Sequence, residues 1–311
     1  MIQYLLSNSC LKEIKNVISN KSLFLFLDYD GTLAPFKESP GRAVPLSGVK
    51  SVLNDLIQID DIFISIISGR TLDSLNDLID IPNINYIGTH GLEIKISNKY
   101  NNSSTPSIIY PDVELYNTGS DSGDSLSSIS NMDKNTRNQV QESIQRVLEK
   151  TRSYFKYLKN KHTGIKYEDK KYILTLHYPS SFEVNTVVNY LQSLTAEKEV
   201  EILKGRKVIE IRPRGWHKGK AVKYIIEEIL YPYLRENSDP GNEINKEDYL
   251  TIYIGDDTTD EDAFREIDGI SIYVKNEGNL KTEADFYLNN PGDVLECLTL
   301  IKKIKENNKN N

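Results

Sequence analysis

Two apolar runs of strand-forming residues end abruptly in acidic residues. Residues 24–27 are followed by Asp28 and Asp30, and residues 250–254 are followed by Gly255 and an acidic turn. Continuous apolar runs are typical of strands that are buried on both faces of a parallel sheet. Because ligands bind beyond the carboxyl ends of such strands, the acids predict a functional site at that edge of the sheet.

Two further runs have the same form, a strand followed by polar residues. Residues 62–67 lead into Ser68 and Arg70, and residues 208–211 lead toward Lys218. Strands that alternate with amphipathic helices indicate a parallel sheet. We therefore expect residues 2–111 to build the first half of the sheet and residues 208–305 to complete it.

The fold class that this order favours is α/β, with a parallel sheet flanked by helices and an inserted α+β cap domain. Between the two halves, the pattern predicts helices over 139–158 and 182–194 and strands over 165–167, 172–177 and 199–203. The predicted domains are the first part of the core (1–111), the cap (112–206) and the second part of the core (207–311). The polar tracts 101–107 and 117–135 are interpreted as surface loops or partial disorder.

The two acidic clusters predict phosphoryl transfer assisted by a divalent cation. Asp28 and Asp30 are two residues apart, so on a strand their side chains share a face, and one carboxylate can act as nucleophile while the other handles the proton. Magnesium prefers one or two carboxylates with water and phosphate, so Asp256 suits a ligand, and Asp257 and Asp260 suit its supports. The alternatives are a capped turn at the first cluster and a solvated acidic turn at the second.

The polar residues after the other two runs suit a phosphate group. The hydroxyl of Ser68 and the guanidinium of Arg70 can donate to phosphate oxygens, and Ser68 could also, or only, be the N-cap of the next helix. Lys218 could neutralise the charges of Asp28 and of the phosphate. Taken alone, it would be one surface lysine among many.

Composition narrows the class of protein. The chain has 311 residues, 38% of them hydrophobic, which suffices for two domains with cores. Its net charge of −7 and pI near 5.3 argue against nucleic acid as a partner. No apolar stretch has the length of a membrane span and the first twenty residues lack a signal-peptide pattern, so we expect a cytoplasmic protein. We interpret Cys10 and Cys297 as free thiols.

The motifs together resemble those of the haloacid dehalogenase (HAD) phosphatase superfamily, which implies a HAD-like Rossmannoid core. The four matching motifs are Asp28-Tyr29-Asp30-Gly31-Thr32, Ser68, Lys218 and Gly255-Asp256-Asp257-Thr258-Thr259-Asp260. Narrower matches resemble the trehalose-6-phosphate phosphatases; they are residues 67–70, 88–93, 168–170, 177–178, 210–213 and 216–220. The resemblance implies an enzyme that hydrolyses trehalose 6-phosphate to trehalose and phosphate.

The resemblance also implies roles for the core residues. Asp28 would attack phosphorus to form an aspartyl-phosphate, and Asp30 would protonate the leaving sugar oxygen and then activate water. Mg²⁺ would be held by the Asp28 carboxylate, the backbone carbonyl of Asp30 and Asp256. Ser68 and Lys218 would hold the phosphate, with Asp257 and Asp260 close to the metal.

In the cap, the resemblance points to residues that bind sugar hydroxyls. These are Glu168 and Lys170 of a Glu-x-Lys motif, and Arg206 and Glu210 before the Arg-Pro step, with Lys207 as a rival for Arg206. The alternatives are a HAD phosphatase for sucrose phosphate or mannosyl-phosphoglycerate, and a non-catalytic subunit that binds a sugar phosphate. We expect a monomer whose substrate comes from a free pool or from a separate trehalose-6-phosphate synthase.

Overall fold

The structure, a computed structural model, describes residues 2–36, 43–100, 107–109, 134–194, 200–205, 207–238, 244–276 and 281–309. The chain forms two compact units, one made of Met1–Ile109 with His217–Asn311 and the other of Tyr110–Trp216. Of the polar tracts noted in the sequence, residues 101–106 and 117–133 lie outside the described residues.

The first unit alternates strands and helices on both sides of the second unit in sequence. Before it come β1 (Gln3–Tyr4), α1 (Asn8–Ser19), β2 (Ser22–Asp28), α2 (Val49–Leu56), β3 (Ile62–Ile67), α3 (Leu72–Ile79), β4 (Asn85–Gly88), β5 (Glu93–Ile96) and β6 (Ser107–Ile109). The second unit holds α4 (Lys134–Lys161), β7 (Lys166–Lys170), β8 (Ile173–His177), α5 (Val184–Leu194), β9 (Val200–Gly205) and β10 (Val208–Pro213). After it come α6 (Lys218–Tyr224), a π-helical segment (Ile225–Leu230), α7 (Tyr231–Asn237), β11 (Tyr249–Gly255), α8 (Glu261–Glu266), β12 (Gly269–Val274), β13 (Phe286–Leu288) and α9 (Pro291–Lys309).

The described strands of the first unit form one mostly parallel sheet, as the sequence predicts. Their order is β1-β13-β12-β11-β2-β3-β4-β5-β6, and only the pairings β4 with β5 and β5 with β6 are antiparallel. Strand β2 therefore lies between β11 and β3. The carboxyl ends of these three strands, which carry the predicted site residues, meet at one edge of the sheet.

Burial on both faces explains the apolar run in β2. Leu23, Leu25 and Leu27 join a core cluster with residues of α1, α2, α3 and α9. Phe24 points to the opposite face, where its ring packs edge-on against Tyr231 of α7 at a centroid distance of 5.6 Å. Since neither face of β2 meets water after Ser22, no position favours a polar residue until the strand ends at Asp28.

The second unit is an α+β structure. Its described strands form an antiparallel sheet in the order β7-β8-β10-β9, and α4 packs against β7 and β8. Leu174, Leu176, Ile209 and Ile211, whose side chains alternate along β8 and β10, are buried. The apolar positions of both helices, such as Leu148 and Leu191, are buried as well.

One sequence-based boundary is wrong. We predicted that residues 207–311, including the strand over 208–211, belong to the core, but β10 pairs with β8 and β9 in the four-stranded sheet. The second unit therefore extends to Trp216. The physical reason is that Val208, the first residue of β10, lies opposite Gly205, the last residue of β9, so antiparallel pairing with the neighbour in sequence is favoured over a new parallel partner.

Two further observations concern the helices and the two cysteines. Among the helices in the described ranges, none is both long and apolar enough to cross a bilayer. Cys10 and Cys297 are both buried and both are free thiols. Burial also raises the pKa of the Cys297 thiol to about 12, so this side chain is a packing group.

Candidate active site

A buried lysine joins the two acidic clusters. Lys218, the first residue of α6, donates from Nζ to Asp28 Oδ1 at 2.6 Å and to Asp260 Oδ1 at 2.7 Å. Its side chain is only 2% exposed, and Asp260 is 0% exposed. A buried ammonium between two buried carboxylates satisfies charges that would otherwise be costly to remove from water. The structure therefore brings residues 190 positions apart into direct contact.

Asp260 organises the turn that follows β11. Its Oδ2 accepts the backbone N–H groups of Asp256 at 3.0 Å and Asp257 at 2.9 Å. Its Oδ1, already bonded to Lys218, also accepts the Tyr253 hydroxyl at 2.6 Å. A Cβ at Gly255 would lie only 2.7 Å from Oδ1, so this turn requires glycine. Asp260 is thus committed to shaping the turn and holding Lys218.

Asp256 completes an acidic cluster with Asp28 and Asp260. One carboxylate oxygen from each of the three lies within 4.8 Å of the others. Asp256 Oδ2 also accepts the side-chain amide of Asn276 at 3.1 Å. Asp257, in contrast, is exposed and its Oδ1 accepts the backbone N–H and hydroxyl of Thr258. Its side chain therefore caps the acidic turn.

The electrostatics of the cluster favour an additional positive charge. Burial raises the pKa of Asp28, Lys218 opposes the rise, and Asp260 adds to it. Burial raises the pKa of Asp256 as well, and the neighbouring Asp28 and Asp260 raise it further. Burial lowers the pKa of Lys218, but Asp260 and Asp28 outweigh that effect, so the pKa of Lys218 is raised and the lysine is charged. One lysine cannot balance three carboxylates.

Asp30 has a partner that the sequence did not predict. Arg70, assigned to substrate binding from the sequence, donates from Nε to Asp30 Oδ2 at 2.7 Å and from a terminal nitrogen to Asp30 Oδ1 at 2.6 Å. A two-bond pair of this kind fixes the plane of the Asp30 carboxylate. The Arg70 guanidinium also lies 5.5 Å from the centre of the Tyr29 ring.

Ser68 lies at the neighbouring strand end. Ile67, the last residue of β3, pairs with Asp28 of β2, so Ser68 follows directly beside the first acid. Ser68 is buried and its Oγ accepts the backbone N–H of Arg70 at 3.2 Å. The alternative that Ser68 is the N-cap of α3 is wrong, because Thr71 takes that position and accepts from the backbone N–H of Ser74.

A strained turn after β4 supports the Ser68 segment. Thr89 and His90 have φ of 50° and 54°, values that side chains disfavour. The backbone N–H of His90 donates to Ser68 O at 2.9 Å, and that of Thr89 donates to Arg70 O at 2.6 Å. Glu93, a buried acid in β5, accepts the Thr89 hydroxyl at 3.0 Å and the backbone N–H of Leu72 at 3.2 Å. The strain is therefore offset by hydrogen bonds to the backbone of Ser68, Arg70 and Leu72.

The sheet of the second unit carries a polar face opposite its apolar one. Glu168 of β7 and Glu210 of β10 both pair with Thr175 of β8, which places the two acids on one face. Glu168 lies 3.9 Å from Lys170 Nζ and 3.2 Å from His177 Nε2. The contact of His177 with Glu168 places His177 on the same polar face.

The structure describes some, but not all, of the remaining residues predicted to bind the sugar. Glu210 is half-buried, and burial raises its pKa while Arg212 and Lys170 oppose the rise. Arg206 lies outside the described residues. Its rival Lys207 is exposed with φ of 63° in the turn between β9 and β10. Its backbone carbonyl accepts the N–H of Tyr178 at 3.0 Å.

The sequence did not predict a role in the site for two residues, Tyr253 and Asn276. Tyr253 lies inside β11, and in an apolar run a tyrosine gives no sign that its hydroxyl will reach Asp260. Asn276 follows β12 outside every motif that we recognised. Its φ of 47° is the only local signal, and that cannot be read from the sequence.

The fold and the site together define a phosphatase of the HAD-like class. The parallel sheet carries paired acids and a buried lysine at its carboxyl edge, and the chain has a separate α+β unit. A family model described as trehalose-phosphatase matches residues 26–291. The chain therefore belongs to the trehalose-phosphatase family of enzymes.

Individual relatives agree with this assignment. The chain is 27% identical over 316 residues to the probable trehalose-phosphate phosphatase D of Arabidopsis thaliana, covering 98% of this chain and 74% of that protein. It is 29% identical over 312 residues to the probable trehalose-phosphate phosphatase 2 of Oryza sativa subsp. japonica, covering 95% and 72%. The solved C-terminal domain of the C. albicans trehalose-6-phosphate phosphatase shares the fold, with a TM-score of 0.62, 24% identity and coverage of 97% and 99%.

Proposed function

We propose that this protein is a Mg²⁺-dependent phosphatase that hydrolyses trehalose 6-phosphate through an aspartyl-phosphate on Asp28. The observation that carries the proposal is the buried contact of Lys218 with both Asp28 and Asp260, beside Asp256. Such a site presents a carboxylate, a fixed cation and a cluster of acidic side chains to one phosphoryl group. Phosphoryl transfer needs mainly positioning and neutralisation of charge, which this arrangement can supply.

The residues present fit a magnesium ion. The candidate ligands are carboxylate oxygens, which hard divalent cations prefer. Burial and the neighbouring carboxylates raise the pKa values of Asp28 and Asp256 despite the nearby Lys218, so a second cation would stabilise their charged forms. Asp28, Asp256 and the backbone carbonyl of Asp30 would hold the ion, while Asp260 orients the turn. When bound, Mg²⁺ supplies Lewis-acid stabilisation of the charge on the phosphoryl oxygens.

The protein groups can carry out the reaction in two steps. The Asp28 carboxylate attacks phosphorus, a new P–O bond forms, the P–O bond to the sugar breaks, and Asp30 gives its proton to the leaving sugar oxygen. Water then attacks the phosphoryl group, Asp30 takes its proton, and the Asp28 carboxylate is released with inorganic phosphate. Lys218 and the Ser68 hydroxyl would hold the phosphoryl oxygens through both steps.

The pairing of Asp30 with Arg70 suits the second of these steps. Both oxygens of Asp30 accept from Arg70, so the carboxylate is held in a fixed orientation from which it can take a proton from water. To donate a proton in the first step, Asp30 must release one of these two bonds. We therefore assign Arg70 to orienting Asp30, in addition to the substrate contact expected from the sequence.

The second unit offers groups for sugar recognition. Glu168, Lys170, His177 and Glu210 lie on one polar face of its sheet, and charged hydrogen-bonding groups suit the hydroxyls of trehalose. A site built to bond hydroxyls discriminates strongly against substrates that lack them. We propose that Glu168, Lys170 and Glu210, with Arg206 or Lys207, bind the sugar.

The test is release of phosphate from trehalose 6-phosphate with Mg²⁺ and with a chelator. We expect turnover only with Mg²⁺. Asp28→Asn should abolish turnover while thermal unfolding stays cooperative, because the amide keeps the shape but cannot form the acyl phosphate. Asp55→Asn, at an exposed acid that pairs with Lys302 away from the proposed site, is the matched control and should keep most activity. Substantial activity in Asp28→Asn would exclude Asp28 as nucleophile.

A panel of sugar phosphates tests the substrate. Trehalose 6-phosphate should be hydrolysed with a higher kcat/KM than sucrose phosphate or mannosyl-phosphoglycerate. Preference for either of these would overturn the trehalose assignment but leave the phosphatase chemistry. A monomeric state, a cytoplasmic location and a separate synthase that supplies the substrate stay predictions.

A further inference from the structure

Asn276, which follows β12 and belongs to none of the sequence motifs, lies beside the proposed metal ligand Asp256. Strand β12 pairs in parallel with β11, with Gly255 opposite Tyr273, so the residues after both strands lie side by side. Asn276 stands two residues beyond β12 and adopts φ of 47°, in the left-handed region that asparagine tolerates better than most residues. This backbone turn carries its side chain back toward Asp256.

The Asn276 amide makes two hydrogen bonds. Nδ2 donates to Asp256 Oδ2 and to the backbone carbonyl of Gly31, each at 3.1 Å. An amide nitrogen has two hydrogens, so both are used. Gly31 belongs to the turn that follows Asp30, and Asn276 therefore ties the second acidic cluster to the first.

The backbone of Gly31 packs against Asp256 Oδ2, the oxygen that accepts from Asn276. Its φ is 80°, and a Cβ added at this position would collide with Asp256 Oδ2. Oδ2 therefore rests against the Gly31 backbone on one side and accepts from Asn276. Among the described residues, the hydrogen bonds to the Asp256 side chain end on Oδ2, which leaves Oδ1 available to a cation.

We infer that Asn276 is a positioning residue that fixes which oxygen of Asp256 faces the metal and holds this ligand in register with the turn after Asp30. The inference rests on the proposed magnesium site. Removing a partner that orients a metal ligand typically weakens metal affinity by about 10- to 100-fold. Asn276 touches neither the phosphate nor the sugar in this role, so its effect should appear in metal binding first.

The test is metal affinity in Asn276→Gly. Glycine adopts φ near 50° without strain, so the variant removes the amide while it preserves the backbone. Binding of Mn²⁺, which prefers the same oxygen ligands, is measured by the loss of the free-ion electron paramagnetic resonance signal, and Mg²⁺ by competition. Asp256→Asn defines the signal from other acidic sites. We expect Asn276→Gly to bind Mn²⁺ roughly 10- to 100-fold more weakly than the unmodified protein.

Asn83→Gly is the matched control. Asn83 is exposed, has φ of 63°, and precedes β4, at the edge of the sheet opposite to Asp28 because β2, β3 and β4 are parallel. This variant should bind Mn²⁺ like the unmodified protein. Asn276→Ser, whose short hydroxyl cannot reach both acceptors, provides a second variant and should also weaken binding.

Enzyme kinetics separate positioning from a general structural effect. In Asn276→Gly the Mg²⁺ concentration for half-maximal activity should rise with the Mn²⁺ dissociation constant, while kcat at saturating Mg²⁺ recovers most of its value. A lower melting temperature with unchanged Mn²⁺ affinity would overturn the inference and leave the proposed function standing. If the unmodified protein and Asp256→Asn bound Mn²⁺ equally, both the metal site and this inference would fail.

Discussion

At the residue scale, the site depends on side chains that hold other side chains. The carboxylate of Asp260 accepts from Lys218, Tyr253 and the backbone N–H groups of Asp256 and Asp257. Each donor satisfies part of a buried negative charge, and each in turn is fixed in position by it. The position of the Lys218 ammonium beside Asp28 is therefore set by Asp260 and, behind it, by Tyr253.

Tyr253→Phe tests this chain of contacts. The hydroxyl donates to a charged, buried acceptor, so its loss should lower the free energy of unfolding by about 1.5–3 kcal/mol. It should also lower kcat by about tenfold, which corresponds to about 1.4 kcal/mol of lost positioning. Tyr86→Phe is the control, because the buried Tyr86 hydroxyl bonds to Ile79 and Ile81 and should affect stability alone. Equal kcat in both variants, as measured by phosphate release, would show that Tyr253 acts only on stability.

At the element scale, close packing of two helices fixes the distance between Lys218 and Asp260. Lys218 begins α6, and Asp260 immediately precedes α8. A Cβ added at Gly219 would lie 2.5 Å from the backbone carbonyl oxygen of Asp262 and 2.8 Å from Glu266 Cγ. The absence of a side chain at Gly219 therefore lets α6 approach α8 closely enough for the ion pair.

Gly219→Ala should separate these helices. Alanine in place of a helical glycine ordinarily stabilises by about 1 kcal/mol, but here a backbone atom blocks the methyl group. We expect a loss of about 1–3 kcal/mol in the free energy of unfolding by denaturant, with reduced kcat. Gly292→Ala, near the start of α9, is the control. Its methyl group would contact the side chain of Asn290 and no backbone atom of another residue, so we expect no comparable loss of stability. A Gly219→Ala variant more stable than the parent would contradict the close-packing argument.

The strands of the second unit give an independent prediction. Glu168→Ala should lower kcat/KM for trehalose 6-phosphate by about 10- to 100-fold, the effect of about 1.4–2.8 kcal/mol, since the proposed hydrogen-bond acceptor for the sugar is lost. Hydrolysis of p-nitrophenyl phosphate, which has no sugar, should stay nearly unchanged. Asp169→Ala is the matched control and should keep kcat/KM, because Asp169 lies on the opposite face of β7 and pairs with Arg152 at 2.6 Å. An equal fall for both substrates would indicate that Glu168 supports the fold.

At the scale of the whole molecule, the acidic cluster links stability to pH and to metal. Asp28 and Asp256 have raised pKa values in the folded protein, chiefly because burial disfavours their charged forms. The stability that these groups contribute is therefore present at acidic pH, below the ordinary carboxyl pKa of about 4. It is lost as the pH rises through the raised values. A cation that binds the charged carboxylates reverses that loss.

Magnesium should therefore raise the melting temperature more at about pH 8 than at about pH 5.5, where protons compete for the same oxygens. A hundredfold excess of free Mg²⁺ over its Kd adds about 2.7 kcal/mol of stability. Thermal unfolding with Mg²⁺ and with chelator at each pH measures this difference. The pH dependence of the shift should vanish in Asp256→Asn. A larger shift at the acidic pH would contradict the assignment of the cluster as the metal site.

The sequence alone determined the parallel core, the strand ends that carry Asp28, Ser68 and Asp256, and the α+β character of the inserted segment. These follow from local periodicity and from the rule that carboxyl ends of parallel strands share an edge. Only the tertiary structure decided that β10 joins the second sheet, and that Arg70 holds Asp30. It likewise decided that Tyr253 and Asn276 support the acids. The alternation of apolar residues in β10 does not say which sheet the strand joins, and hydrogen bonds between separate elements, such as Arg70 to Asp30 or Asn276 to Asp256, leave no periodic trace along the chain.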